Sequence, residues 1–133
     1  MITAVDTNIL LDVLTDDPKY ADSSESTLES AYDEGALVIS EVVYAELAPG
    51  FENQSQLESV LRDFNIRLVT SGSDVAYLAG TKWSEYRKSG GTRTRLLADF
   101  LIGAHAQLRA ERFLTRDRGF YRSYFADLVL LEP

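Results

Sequence analysis

The 133-residue sequence contains no cysteine and a single histidine, His105. The absence of cysteine excludes disulfide frameworks, thiolate zinc sites, iron–sulfur clusters and cysteine nucleophiles. With one histidine, multi-histidine metal sites are excluded as well, and a Ser-His-Asp triad would have to use His105. The apolar runs are too short to span a bilayer, and the N-terminus lacks a basic leader. We therefore expect a soluble, cytoplasmic protein.

Positive charge is scarce and unevenly distributed in this chain, whose formal net charge is −8. Residues 1–63 contain 14 acidic and two basic side chains, whereas residues 64–133 contain seven acidic and 11 basic ones. The overall acidity argues against a nucleic-acid partner, but the asymmetry indicates two surfaces of opposite charge. Attraction between the two halves on folding would explain the same pattern.

Short apolar runs alternate with longer helical patterns along the chain. Strands are predicted at residues 2–5, 37–40, 66–69, 113–115 and 128–131. Continuously apolar strands are typical of a parallel sheet that is covered on both faces. The pattern therefore predicts an α/β sandwich that forms one domain over residues 1–133. In such sheets, ligands bind beyond the carboxyl ends of the strands.

The predicted helices separate these strands. They lie at residues 9–14, 22–34, 41–48, 57–64, 75–88 and 97–112, and the second of them is expected to turn Leu28 and Tyr32 towards the core. A mobile loop is predicted at one place, residues 89–94, because this stretch is rich in glycine, serine and threonine.

Four carboxylates occupy positions that a solvated helix face does not explain. Asp6 and Asp117 follow predicted strands, while Glu46 and Asp99 lie within apolar helical segments. Helix capping is the alternative explanation for each aspartate. It does not account for Glu46, because a negative charge in the middle or last turn of a helix opposes the helix dipole. All four could instead meet at one edge of the sheet.

Such a cluster of carboxylates requires a cation. Two carboxylates about 4 Å apart repel by roughly 4 kcal/mol at an effective dielectric constant near 20, so three or four cannot all stay ionised alone. A site that has only oxygen ligands favours a hard cation, Mg²⁺ or Mn²⁺, which also accepts phosphate oxygens. The predicted chemistry is metal-assisted hydrolysis of a phosphodiester bond.

Four sequence blocks surround these acids. They are Asp6-Thr7-Asn8-Ile9-Leu10, Val43-Tyr44-Ala45-Glu46-Leu47, Ala98-Asp99-Phe100-Leu101-Ile102-Gly103-Ala104-His105-Ala106 and Leu114-Thr115-Arg116-Asp117-Arg118-Gly119-Phe120-Tyr121. Together they resemble the PIN-domain ribonucleases, and in particular the VapC toxins of toxin–antitoxin pairs. They occur in the order found in that family. No single block is specific, but all four occur together in a chain of this length, and the resemblance covers essentially the whole chain.

The resemblance implies a PIN-like fold, which has four or five parallel strands with helices on both faces, and an endoribonuclease that depends on Mg²⁺ or Mn²⁺. It implies a homodimer and a VapB-type antitoxin as partner. It also assigns catalytic and metal-binding roles, and supporting roles next to the metal. The acids with these roles are Asp6, Glu46, Asp99 and Asp117, and the supporting residues are Asn8 and Thr115. The distance of the fourth acid from the metal varies among such proteins.

Basic side chains flank the third and fourth blocks. Arginine binds phosphate groups through paired hydrogen bonds, so these side chains are predicted to hold the RNA backbone. They are Arg93, Arg95, Arg116 and Arg118. Pairing with acids of the N-terminal half is the alternative for some of them. His105 lies about 120° from Asp99 around their helix, which indicates a structural or partner-facing residue rather than a general base.

Two other functions compete with this interpretation. An aspartyl-phosphate phosphatase needs a second aspartate two residues after the first, where this chain has Asn8, and a catalytic lysine. A non-catalytic PIN fold that serves as an interaction module is the second alternative. Degenerate members of that kind typically lack one or more of the acids, whereas this chain has all four.

Overall fold

Five parallel strands form the centre of the protein in a computed structural model that describes residues 1–91 and 95–133. They are β1 (Ile2–Val5), β2 (Ala36–Ile39), β3 (Ile66–Leu68), β4 (Arg112–Leu114) and β5 (Leu130–Leu131). Their order in the sheet is β3-β2-β1-β4-β5, and every neighbouring pair is parallel. The predicted α/β class and parallel sheet are therefore confirmed.

Helices connect the strands. They are α1 (Thr7–Leu14), α2 (Ala21–Glu34), α3 (Glu41–Leu47), α4 (Gln54–Asp63), α5 (Ser73–Lys88), α6 (Leu97–Arg109) and α7 (Arg118–Tyr124), and a 3₁₀ turn, Ala48–Gly50, follows α3. The helix predicted at 97–112 ends earlier, because Arg112 already belongs to β4. The short helix α7 was not predicted. Residues 92–94 of the predicted loop 89–94 lie outside the described residues. In the described parts of the chain, no helix has both the length and the apolar character to cross a membrane.

The burial pattern shows that helices cover both faces of the sheet. Thr3, Ala4 and Val5 are all buried in β1, as are the last three residues of β2. Because successive strand residues point to opposite faces, consecutive burial requires a layer on each side. The prediction for α2 is half right. Leu28 is buried, but Tyr32 is 46% exposed, because the narrow inward face of α2 is occupied by Ala31 and Ser24 instead.

The strand order creates a crevice beside the central strand. The chain passes from β1 to β2 and β3 on one side, then continues with β4 and β5 on the other side of β1. Ligand sites of open parallel sheets lie at the carboxyl ends of the strands where the order reverses in this way. Asp6 follows β1 at this crevice, and its backbone N–H donates to the Leu114 carbonyl oxygen (2.9 Å).

Close packing fixes helix α6 against the segment that follows β4. A Cβ atom at Gly103 would lie 2.7 Å from the ring of Phe125 and 3.0 Å from that of Tyr121. Only a residue without a side chain permits this approach. Phe100, one helical turn before Gly103, packs edge-to-face on Phe120. The first turn of α6, which carries Asp99, is thereby held close to α7.

Candidate active site

Asp6 lies at the centre of the crevice as the N-cap residue of α1, with 6% of its surface exposed. Its Oδ1 accepts a hydrogen bond from the Thr7 backbone N–H (2.7 Å). Its Oδ2 accepts one from the Thr115 hydroxyl (2.7 Å) and a longer one from Asn8 Nδ2 (3.3 Å). All these donors are neutral. Both predicted supports, Asn8 and Thr115, thus orient the Asp6 carboxylate, while any role next to a metal stays a prediction.

The Asp6 carboxyl group is a weaker acid than an ordinary aspartate side chain. Burial raises its pKa from 3.8 to about 6, although the hydrogen bonds from Thr115 and Thr7 act in the opposite direction. The negative charges of Glu46 and Asp117 raise the pKa further. A buried carboxylate that receives only neutral donors and has acidic neighbours is stabilised by a cation.

Glu46 reaches the same place from α3. It lies in the last turn of that helix on an exposed position, and its Oε1 accepts a hydrogen bond from the Thr7 hydroxyl (2.7 Å). Thr7 therefore bridges the two acids, because its N–H binds Asp6 and its hydroxyl binds Glu46. The sequence did not single out Thr7, although it lies between Asp6 and Asn8 in the first block.

Asp99 and Asp117 lie at the starts of two helices. Asp99 is the third residue of α6, and its Oδ2 accepts from the backbone N–H of the N-cap residue Leu96 (3.2 Å). Asp6 is therefore an N-cap residue as the capping alternative had it, whereas Asp99 supports the cap from inside the helix. Asp117 occupies the N-cap position of α7 but makes no capping bond. Its carboxylate pairs with the Arg95 guanidinium through two hydrogen bonds, one of them from Nη2 to Oδ1 at 3.0 Å.

Tyr121 lies close to three of the four acids. Its side chain is buried, and its hydroxyl donates to the Asp99 carbonyl oxygen (3.4 Å). Burial raises the pKa of the hydroxyl well above 10, and the negative charges of Asp6, Asp99 and Asp117 raise it further. Asp99 and Asp117 thus lie near the ring that also approaches Asp6, and Thr7 links Asp6 to Glu46. Packing, the default expectation for the aromatic residues of this segment, is confirmed for Tyr121.

The predicted RNA-binding arginines are mostly engaged by acids. Arg116 binds Asp12 through Nε (2.7 Å) and Nη2 (2.8 Å), Arg118 Nη1 lies 2.6 Å from Glu132 Oε2, and Arg95 binds Asp117. The expected attraction between the two halves of the chain therefore holds for Arg116, whereas Arg95 and Arg118 pair within the C-terminal half. Arg93 lies outside the described residues.

Asp12 is a second buried carboxylate that sequence reasoning missed. It is 3% exposed, and besides Arg116 its Oδ2 accepts from the Ser24 hydroxyl (2.8 Å). The Arg116 guanidinium also stacks on the ring of Tyr20, 4.0 Å from its centroid. A signal was present, because Asp12 stands between Leu11 and Val13 in an apolar helical run, which is the pattern that singled out Glu46.

His105 is remote from this chemistry. Its side chain is 1% exposed, and Nε2 lies 2.6 Å from the Val69 carbonyl oxygen. Burial lowers the pKa of the imidazole, although that hydrogen bond and the charge of Glu41 oppose the shift. These contacts fit the predicted structural role, and the burial excludes a partner-facing one.

The donors around the crevice are of the kind that a hard cation prefers. The four predicted acids carry carboxylate oxygens, the ligand type of Mg²⁺ and Mn²⁺. In the residues for which the structure gives positions, however, no group of three or more acidic or histidine side chains is arranged to hold a metal ion. Protein donors occupy each carboxylate instead, from Thr115 on Asp6 to Arg95 on Asp117. The residue types therefore fit a cation. To bind one, the carboxylates must exchange hydrogen bonds from these protein donors for bonds to the cation.

Comparisons with known proteins agree with the observed fold. The model of the PIN domain family matches residues 3–126. Among solved structures, VapBC2 from Rickettsia felis bound to a DNA fragment from their promoter aligns with a TM-score of 0.76 at 24% identity, covering 100% of this chain and 99% of that one. VapBC-1 from nontypeable Haemophilus influenzae gives 0.74 at 22% identity, with 99% and 98% covered. A toxin–antitoxin complex from Klebsiella pneumoniae gives 0.64 at 21%, with 96% and 95% covered. No curated protein sequence matches significantly.

Proposed function

Because the chain belongs to the PIN domain family, we propose that it is a metal-dependent endoribonuclease and the toxin of a VapBC-type toxin–antitoxin pair. One observation carries the proposal. Among the described residues, the buried Asp6 carboxylate has only neutral hydrogen-bond donors, although Glu46 and Asp117 lie close enough to raise its pKa. Such a group is poised to bind a cation, and it lies at the edge of the sheet where ligands of this fold class bind.

In this proposal, Asp6, Glu46, Asp99 and Asp117 hold Mg²⁺ or Mn²⁺. When bound, such a cation supplies Lewis acidity and lowers the pKa of a water molecule for hydrolysis of a phosphodiester bond. The chain contributes orientation. Thr115 and Thr7 direct the Asp6 oxygens through short hydrogen bonds, and the Thr115 hydroxyl also accepts from the Asp117 backbone N–H (2.9 Å).

Arg95 connects the acids to the substrate. Its guanidinium stacks on the Phe120 ring, 4.3 Å from the centroid, while it binds Asp117. Asp117 becomes free to act as a ligand only when Arg95 releases it, and the released guanidinium is then available for an RNA phosphate. We propose the same phosphate-binding role for Arg93 and Arg118. Because Arg116 is engaged by Asp12, its contribution to RNA binding is indirect.

The partners follow from the family and the structural neighbours. Two of those neighbours are VapBC structures and a third is a toxin–antitoxin complex, which supports a VapB-type antitoxin as the partner of this chain. We also propose that residues 1–133 form a single domain and that two copies of the chain form a homodimer. A cytoplasmic location, where a toxin of this type meets its RNA, belongs to the same proposal.

A non-catalytic interaction module is the second candidate. It is favoured by the Arg95–Asp117 pair and by the protein donors on the other acids. In that case the carboxylates would serve only to cap helices and join elements. The two candidates differ in whether Asp6 has a chemical function beyond its hydrogen bonds.

Cleavage of total cellular RNA tests the proposal. Purified wild-type protein is incubated with Mg²⁺, with Mn²⁺ or with a chelator, beside Asp6→Asn. Asp12→Asn is the matched control, since it removes a buried carboxylate six positions away that already has a cationic partner. We expect discrete fragments from wild type and Asp12→Asn with metal, and none from Asp6→Asn or with the chelator.

Equal cleavage by wild type and a folded Asp6→Asn variant would refute the assignment of the site. Complete inactivity of the wild type, with mass spectrometry showing no bound second protein, would favour the interaction module. A preparation that does contain a second small protein would be assayed again after denaturation and refolding of the separated chain.

A further inference from the structure

A groove of mixed aromatic and cationic character leads away from the candidate active site along α5. A cavity of about 520 Å³ is lined by Trp83, Tyr86, Arg87, Gly91, Arg95, Leu96 and Leu97. A second, of about 590 Å³, is lined by Gly80, Trp83, Ser84, Arg87 and Lys88. The two adjoin, because Trp83 and Arg87 line both. Neither belongs to the acidic crevice itself.

The helix geometry explains why these residues share a surface. Gly80, Trp83, Ser84, Arg87 and Lys88 recur at intervals of three and four residues, which places them on one side of α5. Gly80 has no atoms within 4 Å of where a Cβ would lie, so it leaves space above the helix. Trp83 is partly exposed there, and the Arg87 guanidinium lies 4.9 Å from the centroid of its ring system. The guanidinium thus covers one face of the indole, and the other face and the cation are presented together.

The charge of the groove favours an anionic occupant. Arg87 and Lys88 are exposed, and among the described residues neither has an ion-pair partner. By contrast, Arg95, Arg116 and Arg118 are all bound to carboxylates. In a chain of net charge −8, Arg87 and Lys88 therefore offer positive charge beside an aromatic ring. The cleft of Arg62, Arg67 and Tyr32 has the same composition, but it lies at the amino ends of the strands, opposite the acids.

Arg95 connects the groove to the acids. It lines the first of the two cavities, the one of about 520 Å³, and also binds Asp117. A chain that lies in the groove therefore reaches the site of the proposed hydrolysis at one of its ends.

We propose that Trp83, Arg87 and Lys88 form a binding surface for single-stranded RNA, which positions the strand with its scissile phosphate at the acidic crevice. The inference rests on the proposed ribonuclease function and deepens it. Aromatic rings that stack on bases, combined with cations that contact phosphates, bind single strands with little sequence preference. A double helix would not expose its base faces to Trp83.

Binding is measured separately from cleavage. The probe is a fluorescein-labelled oligouridine, and its binding to full-length Asp6→Asn protein is followed by fluorescence anisotropy over a range of salt concentrations. We expect Trp83→Ala to weaken binding about tenfold, as the loss of one base–aromatic stack does. The double change Arg87→Ala/Lys88→Ala should weaken binding and lower the slope of log K against log salt by about 1.4, because roughly 0.7 is lost per phosphate contact.

Two control variants isolate the groove. Arg62→Ala/Arg67→Ala removes two positive charges, as the groove double variant does, but from a different cleft. That cleft also contains Ala36 and Ile66, the first residues of β2 and β3, and therefore lies at the end of the sheet opposite the acids. Tyr32→Ala removes a 46% exposed aromatic ring on α2, which lines that same cleft. Neither should change the affinity or the salt slope as much as the groove variants.

The outcomes distinguish this inference from the proposed function. If wild type cleaves RNA while the groove variants bind like their controls, the groove assignment is wrong and the ribonuclease stands. If the groove variants lose binding but no variant of the chain cleaves, the groove stands and the ribonuclease fails. A shift in oligomeric state by size-exclusion chromatography, without a change in RNA binding, would identify the groove as a protein interface and overturn the inference.

Discussion

Two buried carboxylates six residues apart have opposite electrostatic environments. Asp12 is bound by the Arg116 guanidinium through two short hydrogen bonds and by the Ser24 hydroxyl. Asp6 is equally buried, yet its donors are a backbone N–H, a hydroxyl and a side-chain amide. Two adjacent residues bind the two aspartates, since Thr115 donates to Asp6 and Arg116 donates to Asp12.

The comparison shows how a structural acid differs from a candidate metal ligand. Burial alone does not separate them, since both are less than 10% exposed. The difference is the compensating charge, which the protein supplies at Asp12 and withholds at Asp6. A buried charge without a partner is costly, and a site that retains one at a ligand-binding edge is typical of function rather than of stability.

The largest expected effect concerns the compensated acid. Arg116→Ala leaves Asp12 buried beside Ser24 alone, so we expect the free energy of unfolding to fall by about 3 to 4 kcal/mol. Urea denaturation at neutral pH in the presence of a chelator measures this. The double variant Asp12→Asn/Arg116→Met should recover a part of the loss, because it removes the orphaned charge. A loss of less than about 1 kcal/mol, typical of exposed pairs, would show that the pair does not stabilise the fold.

The uncompensated acid, Asp6, should make the stability of the folded protein depend on pH. Because the folded pKa of Asp6, about 6, exceeds its ordinary value of 3.8, the folded protein binds this proton more tightly than the unfolded chain does. The resulting stability is fully present below about pH 4 and is lost as the pH rises through 6. We expect metal-free wild type to lose about 2 to 3 kcal/mol relative to Asp6→Asn over this interval.

Parallel urea titrations of the two proteins between pH 4 and 8 check this prediction. Taking their difference cancels the contributions of the other groups, such as His105, whose lowered pKa acts in the opposite direction. Identical pH profiles of wild type and Asp6→Asn would mean that the burial of Asp6 is not electrostatically costly, and the contrast with Asp12 would disappear.

The sequence predicted the acids of the crevice but not the contrast between Asp6 and Asp12. Strand ends and helix positions are local properties, so the apolar runs before Asp6 and Asp117 were sufficient to place these residues at one edge of a parallel sheet. The Asp12–Arg116 pair joins residues 104 positions apart, and nothing local in either segment indicates the partner. The same holds for Arg95, whose pairing with Asp117 depends on how α6 and α7 pack around Gly103.

A divalent cation should distinguish the two acids directly. Wild type should gain about 1.4 kcal/mol of stability at a free Mg²⁺ or Mn²⁺ concentration about ten times the dissociation constant. Asp6→Asn should lose this gain, and Asp12→Asn, which removes the same chemical group, should keep it. Thermal unfolding with and without the cation measures both. If Asp12→Asn lost the gain as well, the cation effect would reflect general charge screening rather than a site at Asp6.

The smallest effects concern the two hydroxyl donors, Ser24 on Asp12 and Thr115 on Asp6. Ser24→Ala should lower the free energy of unfolding by about 1 kcal/mol, because Arg116 still binds both oxygens of Asp12, and it should leave the Mg²⁺ gain unchanged. Thr115→Val should cost at least as much, because the hydroxyl also accepts from the Asp117 backbone N–H. Unlike Ser24→Ala, it should reduce the Mg²⁺ gain, because it frees the carboxylate to rotate away from the crevice. Calorimetric Mg²⁺ titration of both variants provides the measurement, and equal affinities would show that Thr115 stabilises the fold without orienting Asp6.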